Sequence, residues 1–159
     1  MKQVPKEIIN FLYNQGFVII ASVDKDGFPH TSCKAIVKTD ADGTIYLIDV
    51  YHGETRENIK RNPLISISAV DEYKFTGYCL KGKAKIMPND GLSQEIIKKW
   101  EDNITSRLAK RLLVNLSKDK SHKHHPEASL PSPKHLIAVE VEQIVDLSPR
   151  HLGKEIQYG

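Results

Sequence analysis

Long apolar runs are missing from this sequence. None approaches the roughly 20 residues that a membrane-spanning helix needs. The opening Met1-Lys2-Gln3-Val4-Pro5-Lys6-Glu7 also lacks the apolar core of a secretory signal. The expectation is a cytoplasmic soluble protein with no membrane partner. Cysteine is scarce: Cys33 and Cys79 stand alone, without metal-type spacing, and read as reduced thiols. There is no internal repeat, and no glycine fingerprint for a resident dinucleotide. Neither sign of charge prevails. With 23 Lys and Arg against 20 Asp and Glu, the net charge of +3 suits an anionic small molecule as readily as a polymer.

What is present fills one domain. A chain of 159 residues supports one proper core but not two comfortable ones, so residues 1–159 are read as a single unit. Residues 5–15 carry Ile8, Ile9, Leu12 and Tyr13 at helical spacing between Pro5 and Gly16. Residues 17–23 form a β-branched run, and Asp24-Lys25-Asp26-Gly27 turns it into a return strand over 28–38. A second turn at 40–43 leads to a third strand at 44–50. A short helix over 53–62 is followed by strands at 64–70 and 78–86, where Gly82 marks a bulge or sharp bend. Ile97, Trp100, Ile104, Leu108 and Leu112 then predict a helix, or a broken pair of helices, to about Ser117. Residues 118–133 read as a mobile polar loop, 135–147 as the last strand, and 148–159 as a weakly apolar tail. This order lacks βαβ alternation. It predicts a mainly β fold with α elements: a six-stranded antiparallel β-barrel of Greek-key type with peripheral helices.

Residues 48–63, Ile-Asp-Val-Tyr-His-Gly-Glu-Thr-Arg-Glu-Asn-Ile-Lys-Arg-Asn-Pro, are the chemically suggestive stretch. They leave an apolar run, turn at Gly53 and stop at Pro63. Thr55 is a candidate helix cap, with Asn58 facing the same opening. Free N–H groups and a partial positive charge at a helix start suit a phosphate, and Arg56 and Lys60 add formal charge. The plainer alternative is a capped, solvated helix with an internal Glu57–Arg61 pair. Ser32 and Lys34, on the second strand, fall where they can join Thr55 at one mouth of the barrel. Alternatively, Lys34 is an outward lysine on a half-exposed strand.

Two further features favour bland readings. His122, His124 and His125 lie in a polar loop with no supporting shell in view, so no resident metal is expected. Lys98, Lys99, Arg107, Lys110, Arg111, Lys118, Lys120 and Lys123 are interrupted by Glu101, Asp102 and Asp119. That pattern fits a solvated helix face better than a nucleic-acid surface.

Three segments carry a resemblance. Residues 17–35, with Asp26-Gly27-Phe28-Pro29-His30, resemble the opening hairpin of the FMN-binding split-barrel superfamily, which includes pyridoxamine 5′-phosphate oxidase. Residues 55–66 look like its short helix and following strand. Leu80-Lys81-Gly82-Lys83-Ala84 is similar to its fifth strand. Coverage is good over residues 8–87. The resemblance implies a split barrel, a homodimer, and FMN in the groove between subunits. It further implies that Ser32, Cys33, Lys34 and Ala35 line the flavin ring and ribityl chain, with Asp49 and Val50 contacting the ring. Thr55 and Asn58 would hold the phosphate, with Lys34 or Arg56 neutralising it. Two departures stand out. Vitamin-oxidising members have an arginine early on the second strand, where this chain offers Cys33 or Lys34. They also have a C-terminal substrate segment with tryptophan and arginine, whereas residues 148–159 contain no tryptophan. The implied function is that of an FMN-dependent, pyridoxamine 5′-phosphate oxidase-like oxidoreductase with a small-molecule redox partner. No residue stands out as general acid or base. The alternatives are a flavin-carrying or electron-transfer protein without turnover, and an interaction module with an empty flavin groove.

Overall fold

A computed structural model of the chain describes residues 3–51, 53–88, 91–117 and 130–149. Helix α1 (Lys6–Asn14) precedes strands β1 (Val18–Val23), β2 (Pro29–Thr39) and β3 (Ile45–Asp49). Helix α2 (Glu54–Arg61) leads to β4 (Leu64–Asp71) and β5 (Thr76–Ile86). Helix α3 (Gln94–Ser117) and β6 (His135–Asp146) complete the order. The strands close into a barrel in the sequence β1-β2-β3-β6-β5-β4, with every neighbouring pair antiparallel. The expected six-stranded antiparallel barrel with peripheral helices is the observed fold.

Local chemistry explains the frame. In the β1–β2 turn, Asp24 Oδ1 accepts the backbone N–H groups of Asp26 and Phe28. Gly27 sits at φ 88°, a conformation costly for any residue with a Cβ. Alternation along the strands then sorts the side chains. Ile20, Ile45, Leu47, Ile67, Leu80, Ile137 and Val139 point into the barrel, where Ile8 and Leu12 of α1 and Ile59 of α2 join them. The opposite parity of β3 and β6 faces outward. There Ile48 and Leu136, paired across the strands, pack with Val37 against Trp100 and Ile104 of α3.

The structure revises several local expectations. α3 is one helix, and β5 begins at Thr76 rather than Tyr78. The N-cap of α2 is Gly53, in extended backbone and without a side-chain cap, so Thr55 is not the cap. It lies two residues inside the helix, where its hydroxyl is engaged with Ser32. Glu57 pairs with Lys60 and Arg56, not with Arg61. Arg61 instead donates to the Val23 carbonyl and to Asn58 Oδ1, tying α2 to β1. Of the loop expected over 118–133, residues 118–129 lie outside the described residues, as do His122, His124, His125 and tail residues 150–159.

Gly82 behaves as its position suggested. The β5–β6 register shifts between Lys81 and Gly82. A Cβ at Gly82 would overlap the Glu140 carbonyl oxygen and lie 2.9 Å from its carbon, so the two backbones approach closer than a side chain permits. Gly82→Ala should therefore push β6 away and cost about 1–3 kcal/mol or more. Urea unfolding of the variant checks this; an unchanged midpoint would mean that the two strands do not touch at this level.

Candidate functional site

Where β2 and the end of β3 meet α3, the surface opens into a cavity of about 230 Å³. β2 contributes Cys33, Lys34 and Ala35. The chain leaving β3 contributes Val50 and Tyr51, and the segment entering β1 contributes Gly16 and Phe17. Trp100 and Arg107 of α3 and Leu130 close the remaining sides. Arg107 is placed by its Nη1, which donates to the Gly16 carbonyl at 3.2 Å. Leu130, at the far end of the loop expected over 118–133, packs in the α3 core and reaches this wall.

Below the cavity is a buried polar cluster. Lys34 pairs with Val18, and Asp49 pairs with His135, on the barrel's inner parity. Lys34 Nζ donates to Asp49 Oδ1 at 2.7 Å, and the two side chains are only 10% and 1% exposed. Lys34 is thus not the outward lysine of the plainer reading. His135 Nε2 lies 3.1 Å from the other carboxylate oxygen, Oδ2. The imidazole and the carboxylate are therefore in close polar contact. A buried carboxylate is tolerable only with partners of this kind, because desolvation costs it several kcal/mol.

The structure treats the eight sequence-derived residues unequally. Cys33, Lys34, Ala35 and Val50 line the cavity. Asp49 is buried behind Lys34. Ser32 and Thr55 share a hydroxyl hydrogen bond of 2.9 Å, so these two do converge as expected. Asn58 is 1% exposed, and its amide donates to Ser22 Oγ at 3.1 Å. Thr55 and Asn58 would each have to exchange or share these bonds to hold a phosphate. The first turn of α2 also carries Glu54, whose Oε2 lies 3.6 Å from His30 Nδ1, so one anion of the chain already faces that helix start.

Phe17, Tyr51, Trp100, Arg107 and His135 belong to this region and were not singled out for it by sequence. Trp100 gave only a core-stripe signal, and His135 only the start of a strand. Their meeting depends on barrel register and on the docking of α3, which no local pattern encodes. The rings of Phe17, Tyr51 and Trp100 together with the cations Lys34 and Arg107 suit a planar, electron-poor ligand bearing negative charge. A larger hollow of about 390 Å³ lies on the outer wall by Ala21, Ser66, Lys81 and Gln143. It offers no aromatic face, so volume alone does not select the site. Among the described residues, no group of three His, Cys, Asp or Glu could hold a metal ion, and no helix is long and apolar enough to cross a membrane.

The closed six-stranded barrel with a helix between β3 and β4 defines a split-barrel protein. Over residues 4–148 the chain matches the family described as Pyridoxamine 5′-phosphate oxidase. It belongs to that family, within the FMN-binding split-barrel superfamily. HupZ from Group A Streptococcus is similar at 25% identity and TM-score 0.63, over 91% of this chain and 95% of that one. A Clostridium acetobutylicum protein related to general stress protein 26 shares the fold at 19% identity and TM-score 0.62, over 92% and 88% of the two chains. An F420 reductase does so at 19% identity and TM-score 0.52, over 89% and 98%. No curated protein matches. The family contains flavin-dependent oxidoreductases, and its members typically bind a flavin and are often dimeric.

The ion pair makes a direct prediction. Asp49→Ala leaves the Lys34 ammonium buried without its carboxylate and should cost about 3–5 kcal/mol. The double change Lys34→Met with Asp49→Leu should recover most of that loss, because it removes both charges. Chemical denaturation of the three proteins is the measurement, and a loss below about 1 kcal/mol for Asp49→Ala, typical of solvated pairs, would show that water reaches the pair.

Proposed function

We propose that this protein is an FMN-dependent oxidoreductase that works as a homodimer on a small-molecule redox partner. The observation that carries the reading is the cavity itself: Phe17, Tyr51 and Trp100 with the cations Lys34 and Arg107, gathered where β2 and the end of β3 meet α3, in a member of a flavin-binding family. At about 230 Å³ it is smaller than the 300–1,000 Å³ usual for a ligand of that size. In this reading one chain supplies part of the site and a second copy the rest. Phe17 and Ile19, half exposed at the start of β1, are apolar surface suited to that contact.

The residues have distinct roles in this reading. Cys33, Lys34, Ala35 and Val50 contact the flavin, with Lys34 supplying a donor and a positive charge. Asp49 holds Lys34 from behind. Ser32, Thr55 and Asn58 form the hydrogen-bonded ground on which the phosphate end rests, with Arg56 on the same helix as counter-charge. Bound FMN supplies two-electron transfer chemistry, and the protein supplies orientation, electrostatics and exclusion of water. Tyr51 and Trp100 shield the cavity from solvent, and Arg107 holds the chain entering β1 against α3.

Purified protein should be yellow and, in sedimentation at micromolar concentration, should show about twice the 18.0 kDa chain mass. A monomer that still retains FMN would sink the two-chain site. The phosphate assignment has its own test. Thr55→Val keeps the shape and removes one hydroxyl, so FMN affinity should fall roughly 10- to 150-fold. Riboflavin, without the phosphate, should barely respond. Equal losses for both ligands would move the phosphate to another end of the groove.

A further inference from the structure

We propose that His135, on the closing strand, is a positioning residue for the cavity: through Asp49 it fixes the Lys34 ammonium at the cavity wall. Lys34 is the member of the buried cluster that reaches the cavity. Its stem is flexible, and an ammonium has no preferred direction of its own. What fixes it is Asp49 Oδ1, at 2.7 Å. A carboxylate can rotate about its terminal bond, exchanging Oδ1 for Oδ2 or turning away from the lysine. The imidazole 3.1 Å from Oδ2 opposes that rotation. The register supports it, because Asp49 and His135 are direct partners across β3 and β6, and Lys134 N–H donates to the Asp49 carbonyl at 2.8 Å. The side chain and backbone of Asp49 are thus held by two adjacent residues, His135 at the start of β6 and Lys134 just before it. His135 is 2% exposed and absent from the cavity lining, so its influence on a ligand passes through Asp49 and Lys34.

The consequence rests on the proposed flavin reading. A fixed cation beside a flavin stabilises added negative charge and raises its reduction potential, whereas a wandering one is averaged with solvent. The decisive experiment begins without flavin. Brief acetic anhydride labelling of the ligand-free protein, read by mass spectrometry, gives the acetylation rate of Lys34 against the exposed Lys81 and Lys83. His135→Met keeps a similar volume and removes the ring nitrogens. It should raise Lys34 labelling about fivefold or more, as expected for a restraint worth about 1 kcal/mol, with Lys81 and Lys83 unchanged. His135→Gln, which retains a side-chain N–H, should stay near wild type. His135→Leu provides the same readout should His135→Met not fold. With FMN bound, the midpoint potential should fall in His135→Met and return toward wild type in His135→Gln. Lys34 labelling unchanged, or rising in step with Lys81 and Lys83, would overturn the positioning role while leaving the flavin reading intact. Wild-type protein that holds no FMN would overturn the flavin reading instead, and the labelling rates would still decide the role of His135.

Discussion

The barrel depends on its last strand finding a place between two strands laid down much earlier. β6 pairs with β3 on one side and with β5 on the other, so without it the sheet would have two open edges. Open edges are costly, and closing them satisfies two ladders of backbone groups at once. The fit is tight at Gly82, where the β5 and β6 backbones meet without room for a side chain. Such long-range pairing costs more loop-closure entropy than the hairpins do and forms more slowly. The same insertion carries His135 to Asp49 and completes the polar cluster. Closure of the barrel and completion of the buried polar cluster therefore rest on the same strand.

Much of this was legible locally. The turns at Asp24–Gly27 and Asp40–Gly43, the two-residue alternation of β4 and the helical stripe of α3 each follow from residue chemistry within a few positions. Gly82 announced a bulge because a lone glycine in a β-rich run has few other uses. What was not legible depended on pairings across the barrel. Nothing near Asp49 in sequence shows that its side chain turns inward to Lys34. That follows from the shared parity of Val18, Lys34, Asp49 and His135, which exists only once four strands are in register. The helix cap was misjudged for a related reason. Thr55 has the right chemistry for a cap, but a partner on β2 claims its hydroxyl, and Gly53 takes the cap position with no side chain to offer.

The cavity and the α2 start also differ in kind. Around α2, nearly every polar group has a partner in the chain: Thr55 with Ser32, Asn58 with Ser22 and Arg61, Lys60 with Glu57. That is a stiff, prepaired scaffold. The cavity wall is instead largely aromatic and aliphatic, and its formal charges come from Lys34 and Arg107. Stiff polar ground beside an apolar wall suits a ligand with one charged, hydrated end and one flat, apolar end. A small uncharged metabolite would use only half of it.

The position of Lys34 bears on why this chain need not share the substrate of the vitamin-oxidising members. A bidentate guanidinium grips a phosphate or carboxylate in one orientation, whereas an ammonium acts as a point charge. Lys34 has moreover committed its shortest contact to Asp49, so the pair presents to the cavity little net charge and one oriented cation. A dianionic substrate gains less from such a wall than from an uncompensated arginine. An electron-poor ring that takes up charge only on reduction gains more, since the cation helps where charge develops and not where it already stands. Under the proposed flavin reading, the Lys34–Asp49–His135 cluster acts more on charge that develops in a bound ring than on charge a ligand brings with it.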